Sequence, residues 1–285
     1  MLRIFRGGIL DPLSRSGGCR GRTPRPYTAA TVKILFLADV FGSPGRRALE
    51  KRLGELRQEL RVDFCIANGE NAADGMGLTP RLAEKILAAG VDVITLGNHT
   101  FRRREIVEVL ERSDRVIRPA NLGGPGMPGR GLAVVNGVAV ANLQGSLFLE
   151  VAVHPFTAVD ALVDEARRQT PIVVIDFHAE ATSEKIALAR MLDGRVTAVI
   201  GTHTHVQTND ARVLPGGTAA ITDAGMTGPH DSVIGVKAEL AIERMRSLVP
   251  VRFHPAEGDV RIEGVLVECG ADGRATSCEA IRVAC

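Results

Sequence analysis

Tryptophan is absent from the 285-residue sequence and tyrosine occurs once, as Tyr27. A surface that binds single-stranded nucleic acid needs aromatic rings on which bases stack and a basic track for the phosphates. The rings are scarce, and the formal net charge is only +2. Even that small excess is unevenly placed. Residues 1–31 hold six arginines and one aspartate, which leaves 29 basic and 32 acidic residues for 32–285, a net charge of −3. No stable nucleic-acid partner is expected, although a nucleotide-sized substrate is compatible with this balance.

Long apolar runs are also missing. The best candidates, residues 91–96 and 172–175, stop within a strand's length, far short of the ~18 residues of a membrane span. Cysteine is sparse and odd in number, at 19, 65, 269, 278 and 285, with no Cys-x-x-Cys spacing. That pattern supports neither a zinc ribbon nor a disulfide framework and fits reduced thiols in a cytoplasmic protein, with Cys65 a small core residue of a strand. Residues 1–31 lack a sustained helical or strand period and are broken by Gly7-Gly8, Gly17-Gly18, Pro24 and Pro26. They read as a disordered or artefactual extension, too interrupted for a signal peptide, ahead of a single domain over 32–285.

What is present from Val32 onward is a regular alternation of short apolar runs and longer amphipathic stretches, the pattern of an α/β protein. Strands are expected at 33–38, 63–67, 91–96, 118–121, 131–135, 138–143, 171–176 and 196–200. Helices are expected after a Gly42-Ser43-Pro44-Gly45 turn to about Leu60, from the Thr79-Pro80 start, at 101–112 with a solvated face of Arg102, Arg103, Arg104 and Glu105, and from Ser183. Asn136-Gly137 and Asp272-Gly273 mark hairpin turns, the second joining strands 260–268 and 275–283.

Chemistry-bearing residues recur where these strands stop. Asp39 follows the first, Glu70 and Asn71 the second, and Asn98 and His99 the third; His178 comes two residues after strand 171–176, and His203 and His205 come just after strand 196–200. Each alone has a plain reading: an aspartate at a strand end commonly caps a helix or turn. Together they bring carboxylate, amide and imidazole donors to the carboxyl edge of a sheet, where open α/β folds build their sites. His203 and His205, at i and i+2 of an extended segment, would share one face. His154, His230 and His254 stand beside Pro or Gly and read first as turn residues, although His154 and His230 could reach the site from loops.

The segments Gly69-Glu70-Asn71-Ala72, Gly97-Asn98-His99-Thr100-Phe101, Gly201-Thr202-His203-Thr204-His205 and Thr222-Asp223-Ala224-Gly225-Met226-Thr227-Gly228 resemble, in this order, the calcineurin-like metallophosphoesterases. Within them the resemblance is to the YmdB-like branch, to which 2',3'-cyclic nucleotide phosphodiesterase activity is attributed. It implies a two-sheet β-sandwich flanked by helices, with the active site at the carboxyl ends of the strands. The sequence departs from the superfamily at Val40-Phe41, where the usual Asp-x-His histidine is missing, and at Glu70, which replaces the usual bridging aspartate. The YmdB-like branch makes up the lost ligand with an asparagine, and Asn71 stands there.

The resemblance further implies Asp39, Glu70, Asn71 and His205 around one metal and Glu70, Asn98, His178 and His203 around a second, with Glu70 shared and His99 kept as general acid. Iron or manganese is expected from the mixed donors, with zinc as the alternative. The implied reaction is in-line attack of a metal-bridging hydroxide on a 2',3'-cyclic nucleotide, with His99 protonating the leaving oxygen to yield a 3'-nucleotide. A phosphomonoesterase or protein phosphatase would use the same ligands, and a regulatory scaffold with little turnover would keep the shape. A homo-oligomer is compatible with the sequence. An amidohydrolase barrel is disfavoured, because its His-x-His pair lies near the start of the chain.

Overall fold

The computed structural model describes residues 31–124 and 126–285. The chain runs β1 (Thr31–Leu37), β2 (Asp39–Val40), α1 (Gly42–Glu59), β3 (Phe64–Asn68), α2 (Pro80–Ala88), β4 (Val93–Thr95) and α3 (Ile106–Arg112). Next come β5 (Leu132–Val135), β6 (Val138–Gln144), α4 (Pro155–Arg167), β7 (Ile172–His178), α5 (Thr182–Met191) and β8 (Ala198–Thr202). The last part holds β9 (Arg212–Val213), β10 (Ala219–Ile221), β11 (Met226–Pro229), α6 (Ala238–Ser247), β12 (Val260–Gly270) and β13 (Ala275–Ala284). The expectation for residues 1–31 lies outside the described residues except at Thr31, which already belongs to β1 and pairs with Gly270.

Two sheets form. The first has the order β2-β11-β12-β1-β3-β4, with β13 on the opposite edge of β12; the second has the order β5-β6-β7-β8-β10-β9. Strands β1, β3 and β4 are parallel, as are β6, β7, β8 and β10, so each sheet gathers several strand ends on one edge. The strand sequences explain the layering. In β1, Ile34 and Phe36 point between the sheets while Leu35 and Leu37 point to the helices, the period of two that a strand covered on both faces requires. Val138, Val140, Ile172, Val174, Ala198 and Ile200 answer from the second sheet, and Leu143, Val173, Ile175 and Phe177 pack beneath its own helices. The result is helices, sheet, sheet, helices. Each fully buried large side chain in this interior contributes about 1.5–3 kcal/mol relative to exposure.

Several expectations need correction. Residues 101–105 are turns and α3 begins at Ile106: the Arg102 amide bonds the His99 carbonyl at 3.0 Å and Ile106 bonds Arg103 at 3.2 Å, three-residue closures that do not propagate. Residues 118–121 are not a strand. Pro119 has no N–H to give a ladder, and the segment is tied by single bonds from Arg118 to Arg130 and from Ala120 to Asn142. Strand β7 runs two residues further than expected, through His178, because His178 pairs with both Gln144 and Thr202. The helices α4 and α6 and the short strands β10 and β11 were not expected; α6 buries only Ala241 and so has little apolar period to read. The Asn136-Gly137 turn is as expected, with both residues at positive φ, 49° and 81°. Cys65 is a buried residue of β3, and burial pushes its thiol well above the usual range.

Candidate metal centre

All eight expected site residues meet at the carboxyl ends of the parallel strands. Strand β1 leads directly to Asp39, β3 to Glu70 and Asn71, β4 to Asn98 and His99, β7 ends on His178, and β8 leads to His203 and His205. Asp39, Glu70, Asn71, His178 and His205 are buried. Glu70 sits in the middle: its Oε1 is 3.1 Å from His178 Nε2 and 3.4 Å from both Asn71 Nδ2 and His99 Nδ1, and its Oε2 accepts the His99 amide at 2.9 Å.

Two groups of donors flank Glu70. On one side, Asn71 Nδ2 lies 2.9 Å from His205 Nε2, which is 3.5 Å from Asp39 Oδ2. On the other, His178 Nε2 lies 3.0 Å from Asn98 Oδ1 and 3.0 Å from His203 Nδ1. Glu70, His178 and His203 place ligand atoms within 4.8 Å of one another. His99 is turned differently, with Nδ1 2.8 Å from the Asn71 amide oxygen.

The loop carrying the two later histidines is not extended. His203 has φ 103° and His205 φ 63°, so their convergence does not come from strand alternation as expected. Left-handed non-glycine residues cost about 1–3 kcal/mol each and persist only when their surroundings over-determine them. The surroundings do. The His203 amide donates to Asp39 Oδ2 at 2.9 Å, and the Thr204 amide and hydroxyl both donate to Asp223 Oδ2, at 3.1 and 2.8 Å. Asp223 is itself paired with Lys185 at 2.7 Å, the two side chains only 1% and 3% exposed. His205 Nδ1 lies 2.9 Å from the Ile234 carbonyl, which leaves Nε2 facing the cluster.

A second buried support fixes His178. The Thr202 hydroxyl donates to Asp176 Oδ1 at 2.7 Å, so its oxygen is free to accept from His178 Nδ1, 2.9 Å away. The imidazole then carries its lone pair on Nε2, toward Glu70 and Asn98, as a metal-ligating histidine requires. Asn68 completes this support by donating to Asp176 Oδ2 at 3.0 Å and accepting the Glu70 amide at 3.1 Å. Gly97 is needed for the packing: a Cβ there would lie 2.4 Å from both Glu70 Oε2 and His178 Nε2.

These groups fit a divalent cation. Asp39 Oδ1 is buried without a hydrogen-bond partner, a costly arrangement unless a cation faces it. Burial, with Glu70 and other carboxylates nearby, pushes the Asp39 carboxyl well up despite His178. Burial also disfavours charge on Glu70 and His178, yet their mutual attraction wins and holds Glu70 down to about 2 and His178 up to about 9. Glu70 thus draws positive charge to the Nε2 side of His178, the place that a bound cation would take. Burial lowers His203, to about 3 with the help of neighbouring His178, and lowers His205, so both present neutral imidazole nitrogens.

Sequence reasoning missed the supports: Asp176, Thr202, Lys185 and Asp223. Thr202 and Asp223 carried a signal, since they lie in the Gly201–His205 and Thr222–Gly228 motifs, the second of which the fold sets beside Asp39 through the β2–β11 pairing of Asp39 with Met226. His154 and His230 do not reach the cluster. His154 stands before α4 against Phe156, and His230 faces the Met226 carbonyl and Glu263.

A helix-flanked double sheet with a histidine, amide and carboxylate cluster at its strand ends defines a metallophosphoesterase-type fold. A solved structure described as a novel phosphatase of Mycoplasma pneumoniae shares it, with a TM-score of 0.81 and 34% identity over 89% of this chain and 94% of that one. The chain belongs to the YmdB-like protein family, whose model matches residues 35–281. It is 48% identical over 241 residues, 83% of this chain and 91% of the relative, to the 2',3'-cyclic-nucleotide 2'-phosphodiesterase of Bacillus subtilis (strain 168). A hypothetical protein from Thermus thermophilus has the same fold, with a TM-score of 0.82 and 40% identity over 89% of this chain and 99% of that one. Among the described residues, no helix is long and apolar enough to cross a membrane.

Proposed function

We propose that this protein is a metal-dependent phosphodiesterase that opens 2',3'-cyclic nucleotides to 3'-nucleotides. The observation that carries the reading is the division of the cluster around Glu70, with Asp39, Asn71 and His205 on one side, Asn98, His178 and His203 on the other, and His99 Nδ1 engaged by the Asn71 amide oxygen. The activity named for the Bacillus subtilis relative supplies the substrate class.

Asp39, Glu70, Asn71 and His205 would hold one divalent ion, and Glu70, Asn98, His178 and His203 a second. Two such ions would supply Lewis acidity for the phosphoryl oxygens and lower the pKa of a nucleophilic water. The mixed oxygen and imidazole donors suit iron or manganese, with zinc as the alternative. The four described cysteines are all free, which suits a reducing cytoplasm.

The chain's own residues then set the geometry of the proton. His99 gives Nδ1–H to the Asn71 oxygen, so the acid proton sits on Nε2 of the imidazolium. Burial pulls the His99 imidazole below its ordinary range, and the Glu70 carboxylate 3.4 Å from Nδ1 offsets part of that, so the acid form gives up its proton readily. In-line addition of water oxygen to phosphorus breaks the P–O2' bond, and Nε2 protonates the departing O2', leaving the phosphate on O3'. A positioned acid of this kind contributes about 10²- to 10⁴-fold.

Product analysis on 2',3'-cAMP, 3',5'-cAMP and a phosphopeptide tests the reading. A 3'-nucleotide from the first substrate, with the others slow, is the expected result. Preference for the phosphopeptide, or a 2'-nucleotide as product, would overturn it. Metal analysis of anaerobically purified protein is expected to find two equivalents of iron or manganese, and one tetrahedral zinc would contradict the two-ion assignment.

A further inference from the structure

The cluster opens onto a cavity of about 810 Å³, whose floor includes Phe41, Asn71, His99 and His205. Pockets for small ligands span ~300–1,000 Å³, so this one lies toward the upper end and has room beyond a single ribose and base. Its two walls come from separate parts of the chain. The near wall is the glycine-containing loop after β3, with Met76, and the turn after β4, with Arg103. The far wall is the 234–237 segment and the 251–257 segment, zipped together by backbone bonds from Lys237 to His254 at 3.0 Å and from Ala256 to Gly235 at 2.9 Å.

The walls carry three cations, Arg103, Lys237 and Arg252, and none of the three has an ion-pair partner within 4.0 Å among the described residues. Arg103 is fixed in place: its guanidinium donates to the Met76 and Ala73 carbonyls, at 3.2 and 3.4 Å, and its chain packs close to Gly77. Lys237 and Arg252 line the same cavity. Two acids share the cavity. Asp74 is drawn 4.0 Å from Arg46, outside the cavity lining, and Glu257 lies on the far wall, so cations outnumber acids. Exposed apolar groups stand among the cations: Ile234 is 54%, Met76 47% and Phe253 37% exposed.

The scissile phosphate is already provided for by the donors around Glu70. The cations and exposed apolar side chains that also line the cavity match a substrate with a second phosphate and a second base. Resting on the activity proposed above, we propose that the cavity takes the 3' end of a short oligoribonucleotide bearing a terminal 2',3'-cyclic phosphate, with Arg103, Lys237 and Arg252 receiving the 5'-phosphodiester. The shared chemistry is a phosphate on the 5' oxygen of the reacting nucleoside. An internucleotide linkage also supplies the next base for the Phe253 and Ile234 side of the cavity.

Steady-state kinetics on three substrates test this: 2',3'-cAMP, its 5'-phosphorylated form, and the dinucleotide ApA ending in a 2',3'-cyclic phosphate. The dinucleotide is expected to exceed 2',3'-cAMP in kcat/KM by about tenfold, the order of one charge-assisted contact, mostly through KM. Lys237→Ala with Arg252→Ala should erase that advantage, and Lys237→Arg should keep it. Equal kcat/KM on 2',3'-cAMP and the dinucleotide overturns the inference while leaving the proposed reaction intact. An advantage confined to the 5'-phosphorylated mononucleotide also overturns it. Failure on all three substrates, with turnover of a phosphopeptide, would instead sink the underlying reaction.

Discussion

The first sheet supplies the carboxylates of Asp39 and Glu70 and the amides of Asn71 and Asn98, whereas the second supplies three imidazoles, and the two groups are held by different means. The oxygen donors touch mainly one another and the histidines, and one of their atoms, Asp39 Oδ1, has no partner. The imidazoles are backed by buried devices: Thr202 and Asp176 behind His178, and Asp223 with Lys185 beneath the His203–His205 loop. The physical reason is the ring itself. A carboxylate offers either oxygen to a cation, but an imidazole must present the right one of two nitrogens, and only a partner on the other nitrogen decides which.

That contrast can be broken at its centre with the largest expected effect. Glu70→Gln removes the charge that lies against Asn71, His99 and His178, and the loss of several kcal/mol of charge stabilisation should reduce turnover by about a thousandfold or more. Elemental analysis should find less than the full metal complement, and a fully loaded, active variant would show that Glu70 is not shared.

The supports come next. Thr202→Val and Asp223→Asn leave every expected ligand in place, yet each should weaken metal affinity about 10- to 100-fold, as loss of partners behind metal ligands does. Calorimetric titration of metal-free protein measures this directly, and unchanged affinity in both would remove the distinction between the sheets. Gly97→Ala tests the contact face between them. The added Cβ, 2.4 Å from Glu70 Oε2 and His178 Nε2, should destabilise the fold by about 1–3 kcal/mol in chemical denaturation. Smallest of all should be His154→Ala, within about 0.5 kcal/mol in stability and with turnover close to the parent, because His154 lies outside the cluster.

The same contrast explains what could be read from the amino-acid order. Strand ends and their polar residues were legible because a buried strand leaves an apolar run and its end leaves the first polar side chain. The eight candidate residues therefore stand out as an ordered set in the sequence alone. Their supports were not legible. Asp176 sits inside β7, where nothing local distinguishes a functional polar residue from a strand's edge, Thr202 stands in the Gly201–His205 motif with no sign of what it supports, and Lys185 lies in an ordinary helix of mixed charge. Their roles exist only once β7, β8 and α5 are packed. The left-handed backbone at His203 and His205 was equally hidden, since neither residue is glycine and the strain is relieved by Asp39 and Asp223, far away in sequence. The turn at 101–105 misled for the opposite reason. Its charged residues have a helical composition, but closure onto Gly97 and His99 consumes the backbone bonds that a helix would use.

The central claim is that seven side chains hold metal and His99 does not. Metal content and turnover measured on the same preparation of His99→Ala test it most directly. The account predicts an unchanged metal complement with turnover reduced about 10²- to 10⁴-fold. Loss of metal in step with turnover would contradict it, placing His99 among the ligands.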